Sequence, residues 1–101
     1  MANEEFKFNE DVVAKEVVDY IASTYHAHYA GKEGLQTMDY LLSLGLAKDF
    51  CRASAIKYLS RFGKKQGQEK LDLLKTIHYT LLLMSFSFPQ NEDDRQLSIP
   101  F

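Results

Sequence analysis

The sequence has no tryptophan, only one cysteine and only two prolines among its 101 residues. The single thiol, Cys51, excludes an intramolecular disulfide, which is typical of a protein in a reducing cytoplasm. The acidic N-terminus lacks the apolar segment of a signal peptide. The longest apolar run, 81–84, is far shorter than the roughly 20 residues of a membrane span, so we expect no membrane association. We also find no period-two pattern that would predict a strand.

The composition fits one small domain, because 46% of the residues are hydrophobic and 13 are aromatic. A domain of this size buries only about two thirds of its unfolded surface, so self-association would bury more. The net charge of −2 argues against a general nucleic-acid-binding protein. Positive charge is nevertheless concentrated in residues 57–75, which hold six cations and two anions.

Hydrophobic spacing predicts an all-α domain of four helices over residues 1–89. The predicted helices are roughly 10–24, 35–44, 48–62 and 69–86, with a loop at 25–34 and an acidic, flexible tail at 90–101. Gly45 and Gly63 are expected to end the second and third helices. The second half of the fourth helix is apolar nearly all round, which indicates a surface shared with another subunit. We therefore predict a homo-oligomer.

The third helix carries a stripe of cations at steps of three and four residues. The stripe consists of Ser54, Lys57, Arg61 and Lys64, with Lys65 just beyond it. The other side of this helix is apolar, and we expect it to enter the core through Cys51, Ala55, Tyr58, Leu59 and Phe62. Stacked like charges lower the stability of a helix unless an anion lies against them. The stripe therefore predicts a phosphate-like ligand, although a solvated helix face would show the same pattern.

Several of these residues also resemble a known family. They are His28-Tyr29, the run 53–65 with Lys57-Tyr58, Arg61 and Gly63, then Asp72-Leu73-Leu74-Lys75 and Tyr79. In this order they are similar to the phage nucleotide-kinase-like family, which includes SaV-like proteins and a domain of a T7-type phage nucleotide kinase. One departure is Ala53-Ser54, where that family has Gly-Asn. Serine lacks the two-sided donor and acceptor set of the amide.

The resemblance implies an oligomeric phage protein of the host cytoplasm that phosphorylates nucleoside monophosphates without a P-loop. ATP and Mg²⁺ would be its cofactors, with Lys57 and Arg61 neutralising phosphate charge and Asp72 holding the metal or orienting a hydroxyl. Tyr29 or Tyr79 would stack on a base. The implied ligand-binding residues are His28, Tyr29, Ser54, Lys57, Arg61, Lys64, Lys65, Lys75 and Tyr79. The alternative is a non-enzymatic phage effector that sequesters a nucleotide signal.

Other residues have simpler interpretations. Asp72 and Lys75 would form a surface pair on one helix. His26 and His28 lack the further ligands of a zinc site, so no metal site is predicted. His78 lies among leucines and is expected to be a core or interface histidine. Cys51 is expected to be a buried structural thiol.

The last six residues, 96–101, resemble the hexapeptide with which bacterial proteins bind the replication sliding clamp. In this interpretation Leu97, Ile99 and Phe101 fill an apolar cleft and Gln96 forms hydrogen bonds at its edge. The host clamp would then be a protein partner. Alternatively, the tail packs against the fourth helix of its own chain or of a neighbouring subunit.

Overall fold

The structure, a computed structural model of the chain, describes residues 5–28 and 37–89, with only the backbone given for 26–28. These residues form four α-helices and no strand, which confirms the all-α prediction. The helices are α1 (Glu10–His28), α2 (Thr37–Ser43), α3 (Ala47–Arg61) and α4 (Glu69–Ser87). Within these residues, no helix is both apolar enough and long enough to cross a bilayer. The chain divides into two compact units, 1–36 and 37–101.

The first unit contains α1, which is four residues longer than predicted because it continues to His28. Asn9 precedes the helix with a φ of 62°, and its carbonyl accepts the first helical hydrogen bond from the Val13 amide at 3.0 Å. Glu10 and Asp11 then place negative charge in the first turn, where the helix dipole favours it. Val17 is buried, whereas Val13, one turn earlier on the same helix, is half exposed.

In the second unit, α2 packs against α3. Gly45 lies between them with a φ of 75°, and the Leu46 amide donates to the Leu41 carbonyl at 2.9 Å. Gly45 therefore ends the helix as predicted, because a residue without Cβ adopts this left-handed conformation freely. The Cys51 Sγ lies 3.9 Å from the Met38 Sδ, so the thiol is buried against α2. This burial raises the pKa of Cys51.

Helices α3 and α4 form an antiparallel hairpin, since the end of α3 contacts the start of α4 and the start of α3 contacts its middle. The connection begins at Phe62, and Gly63 and Gly67 have φ values of 84° and 83°. The Lys64 amide donates to the Arg61 carbonyl at 2.8 Å, which closes the first turn after α3. The hairpin brings residues of α3 next to residues of α4 that lie 11 or more positions later.

The packing face of α3 differs from the prediction. Its buried residues are Ala47, Cys51 and Ser54, whereas Leu59 and Phe62, assigned to the core from sequence, are exposed. In α2, Leu42 is exposed as well. Ser54 lies one turn from Cys51 on the side of α3 that meets α4, and Leu59 lies near the opposite side. The face that was predicted to bind a ligand is therefore also the face that packs.

Candidate functional site

Tyr58 lies at the centre of a cationic cluster. The Lys57 Nζ, the Lys75 Nζ and the Arg61 Cζ lie 4.9, 5.0 and 5.1 Å from the centroid of its ring. Each of these distances is within the range in which a cation is attracted to an aromatic ring. We call Lys57, Tyr58, Arg61 and Lys75 the Tyr58 cluster.

Two helices build this cluster. Lys57 and Arg61 lie one turn apart on α3, and Lys75 comes from α4. Lys64 was predicted to continue the cationic stripe, but α3 ends at Arg61 and the Phe62 backbone is already non-helical at φ −53° and ψ 128°. Lys64 and Lys65 instead lie exposed in the turn that follows. The third cation is therefore supplied by Lys75 across the hairpin and not by the next turn of α3.

Arg61 is held by a buried carboxylate. Its Nε and Nη2 donate to the Asp72 Oδ1 at 3.0 and 2.5 Å, and these hydrogen bonds raise the pKa of Arg61. Asp72 is 0% exposed, whereas the Arg61 side chain keeps 28% of its exposure. Asp72 Oδ2 is also buried and has no hydrogen-bond partner among the described residues. Asp72 thus pairs with Arg61, and not with Lys75 on its own helix.

A row of aromatic rings adjoins the cluster. The Tyr79 ring lies nearly parallel to the Tyr58 ring, at 4° and with centroids 6.0 Å apart. Phe50 meets Tyr79 edge-on at 5.8 Å, and His78 lies 6.1 Å from it at 26°. In the structure Tyr79 therefore lies against Tyr58, while its stacking on a base stays a prediction. Burial lowers the pKa of His78, as expected for a histidine among apolar residues.

Sequence reasoning missed Tyr58 as a site residue. Its spacing from Cys51 and Leu59 suggested a core position, yet it is only half-buried and three cations surround it. One signal was present in the sequence. Tyr58 follows Lys57 directly and precedes Arg61 by three residues, so a helix places both cations beside it.

The positive charge of the cluster is only partly neutralised. Within residues 5–28 and 37–89, the ion pairs are Lys15–Asp19 and Arg61–Asp72, so neither Lys57 nor Lys75 has a carboxylate partner there. The cluster therefore holds three cations against one carboxylate. This arrangement can attract an anion.

Several predicted site residues are not brought to the cluster by the described structure. Ser54 lies on the same face of α3 and is 9% exposed. Tyr29 and the tail residues Gln96, Leu97, Ile99 and Phe101 lie outside the described residues, as do the side chains of His26 and His28. The predictions made for them, including binding to the sliding clamp, stay predictions. The described residues contain no group of three or more side chains suited to a metal ion.

The sequence matches the family described as protein of unknown function DUF3310 over residues 23–80, which is more than half of the chain. The protein belongs to this family. No curated protein and no solved structure matches it. The resemblance to the phage nucleotide-kinase-like family was wrong, since the matching segment is assigned to DUF3310 and nothing found points to a nucleotide kinase family. Part of the motif behind that resemblance has a structural explanation, because Arg61 and Asp72 join α3 to α4.

Proposed function

We propose that this protein binds a small molecule that carries a phosphate or a similar oxyanion, and that the Tyr58 cluster is the binding site. The observation that carries the proposal is the convergence of three cations within 5.1 Å of one ring centroid. Two of these cations have no carboxylate partner in the described part of the chain.

The electrostatic argument concerns the two lysines. Because each Nζ lies near 5 Å from the same centroid, the two ammonium groups are no farther apart than about 10 Å, which is one Debye length at 0.1 M salt. Salt therefore does not fully screen their repulsion. An oxyanion between them would replace this repulsion by attraction to both.

Arg61 supports the same ligand in a different way. A guanidinium has five N–H donors in a fixed fork and binds phosphate oxygens with defined geometry. Asp72 accepts two hydrogen bonds from this fork and fixes its position, while the exposed part of Arg61 stays accessible. Arg61 is thus a pre-positioned donor, and Asp72 is its positioning residue.

The aromatic row favours a ligand with a planar group. Tyr58 is half-buried and rests on Tyr79, so its ring is supported against movement. A base can stack on such a platform at little cost in side-chain entropy. A nucleotide combines the oxyanion with the planar group and is the ligand class that we propose.

The geometry favours binding over phosphoryl transfer. Asp72, predicted to hold Mg²⁺ or to orient a hydroxyl, is fully buried and already accepts from Arg61. A nucleotide-binding protein without catalysis would act by sequestering its ligand. Incubation with ATP, Mg²⁺ and each deoxynucleoside monophosphate separates the two functions, since only a kinase yields a diphosphate. We also propose a cytoplasmic location, which the single cysteine supports.

A thermal-shift and calorimetry panel tests the binding proposal. The panel contains inorganic phosphate, an uncharged nucleoside, a nucleoside monophosphate and a nucleoside triphosphate. We expect the nucleotides to raise Tm and the nucleoside to have little effect, because a ligand that binds the native state stabilises it. Lys57→Ala should weaken binding at least tenfold.

Lys48→Ala is the matched control, since Lys48 is an exposed lysine of the same helix outside the Tyr58 cluster. Equal loss of affinity in Lys57→Ala and Lys48→Ala would overturn the site assignment. Failure of every phosphate-bearing compound to raise Tm would overturn the function.

A further inference from the structure

Helix α4 carries an exposed apolar stripe on the side away from α3. The stripe consists of Leu73, Ile77, Leu81 and Met84 of the helix and Phe88, the first residue after it, at successive steps of 4, 4, 3 and 4 residues. Each of these residues keeps between 37% and 55% of its surface exposed. At 3.6 residues per turn the four helical residues lie within a sector of about 80°. We call the whole set the α4 stripe.

The α4 stripe does not belong to the Tyr58 cluster. Asp72 and Tyr79, which contact residues of α3, lie on the other side of α4. A molecule that covers the stripe would therefore leave Lys57, Tyr58 and Lys75 accessible.

The second unit has little apolar burial of its own. Between residues 37 and 89 the buried apolar side chains are Ala47 and Cys51, both small. With about 200 Å² for each large side chain, the α4 stripe alone exposes roughly 400 Å². The largest apolar patch on a typical monomer has about this size and is often functional.

The spacing of the α4 stripe is self-complementary. If a second α4 runs antiparallel about a two-fold axis at Leu81, Ile77 meets Met84 of the second copy, and Leu73 meets its Phe88. Leu81 meets its own counterpart. The midpoints of these three pairs in the sequence nearly coincide, at residues 80 to 81. A two-fold interface requires such a match, because each copy offers the same surface to the other.

We propose that the α4 stripe binds a second copy of this chain, with the two α4 helices antiparallel. The stripe would bury roughly 800 Å² in the pair, which is about half of a standard interface. Neighbouring α4 residues such as Leu74 and Ser85 extend it. We infer a second copy because the spacing of the α4 stripe is nearly the same in both chain directions. Binding to an unrelated partner would not require such a spacing.

Cysteine cross-linking of the full-length protein tests this arrangement, in a Cys51→Ala background. Leu81→Cys lies on the axis and should form a disulfide-linked dimer with itself. Leu73→Cys should not, because two such positions would lie more than 20 Å apart, at about 1.5 Å per residue. A mixture of Leu73→Cys and Phe88→Cys proteins should cross-link.

Ile56→Cys is the control, since Ile56 is an exposed apolar residue of α3 outside the stripe. The unsubstituted protein should sediment as a dimer, and Leu81→Glu should shift it to monomer. A monomeric unsubstituted protein at high concentration would overturn the proposal, as would equal cross-linking at Ile56 and Leu81. Self-cross-linking of Leu73→Cys would overturn the antiparallel orientation.

Discussion

Arg61 donates two hydrogen bonds to one oxygen of Asp72, with Nε and Nη2 at 3.0 and 2.5 Å from Oδ1. The other oxygen, Oδ2, is buried and receives no hydrogen bond from the described residues. The pair lies where the α3–α4 hairpin closes and joins two residues that are 11 positions apart. It therefore fixes the relative position of the helix ends beside the Tyr58 cluster.

Asp72→Ala should lower Tm by several degrees, because it removes the buried partner of a guanidinium that is itself largely covered. The double variant Arg61→Met with Asp72→Leu should recover most of this loss, since matched apolar residues often replace a buried ion pair without cost. Thermal unfolding followed by circular dichroism measures both. A double variant less stable than Asp72→Ala would show that the pair contributes more than mutual neutralisation.

Lys75→Ala should leave the ligand-free protein as stable as before, or more stable, because it relieves the repulsion between Lys75 and Lys57. The same change should weaken nucleotide binding at least tenfold. Urea unfolding and calorimetry measure the two effects, and Lys48→Ala again provides the control. A clear loss of stability without ligand would indicate that Lys75 is held for its contact with Tyr58 and not for an anion.

Stability should fall as pH falls below about 6.5, owing to His78. Burial lowers its pKa from the ordinary 6.5, so above that pH the residue is neutral in both states and contributes no pH dependence. Below pH 6.5 the unfolded chain takes up a proton that the folded chain resists, and the free energy of unfolding decreases until the folded-state pKa is passed.

His78→Gln should flatten this dependence, because every other titratable group is the same in both proteins. The measurement is urea unfolding at fixed protein concentration between pH 5 and pH 8, taken as the difference between the two proteins. If the free energies of unfolding of the two proteins changed in parallel with pH, His78 would be excluded as the source of the pH dependence.

Gly63→Ala should destabilise the hairpin by about 1–2 kcal/mol, the cost of placing an ordinary residue in the left-handed conformation. Gly63 has a φ of 84°, and a Cβ added there meets no atom within 4 Å, so the cost is purely conformational. Gly63→Asn should cost less, because asparagine tolerates this region better than alanine. Urea unfolding of both variants measures the difference. Equal losses for the two substitutions would contradict this explanation.

Cys51 should resist thiol reagents in the folded protein. It is fully buried and burial raises its pKa, so both access and the thiolate fraction are reduced. Labelling with a chromogenic disulfide should therefore be slow in buffer and complete in urea. Rapid labelling of the native protein would mean that α2 leaves α3 readily, because Met38 of α2 lies against the thiol.

The helices were readable from the sequence because apolar spacing and glycine stops agreed, and α2, α3 and α4 end within a residue or two of the predictions. The face of α3 that packs inward could not be read from the sequence. Counting apolar residues favoured Leu59 and Phe62, but α4 offers Asp72, and the partner for that carboxylate is Arg61 on the other side. The ion pair, together with Cys51 and Ser54, sets the rotation of the helix.

The candidate site was predicted in part for a related reason. Lys57, Arg61 and Lys75 were all identified, but the sequence could not show that α4 supplies the third cation in place of Lys64. That exchange depends on the turn at Gly63, which ends the helix before another cation can follow. Tyr58 was missed because its spacing from the other apolar residues of α3 is the same whether its ring is half-buried or fully buried.

The scarcity of buried apolar side chains between residues 37 and 89 affects how fast the protein is degraded in a cell. We expect a hairpin with so few buried apolar side chains to open more often than one with a larger core, and proteases degrade the open form in proportion to its population. With the dimer that we propose, monomers would be degraded before dimers. The steady-state level of the protein should then rise more steeply than its rate of synthesis. At low expression, almost no protein should accumulate.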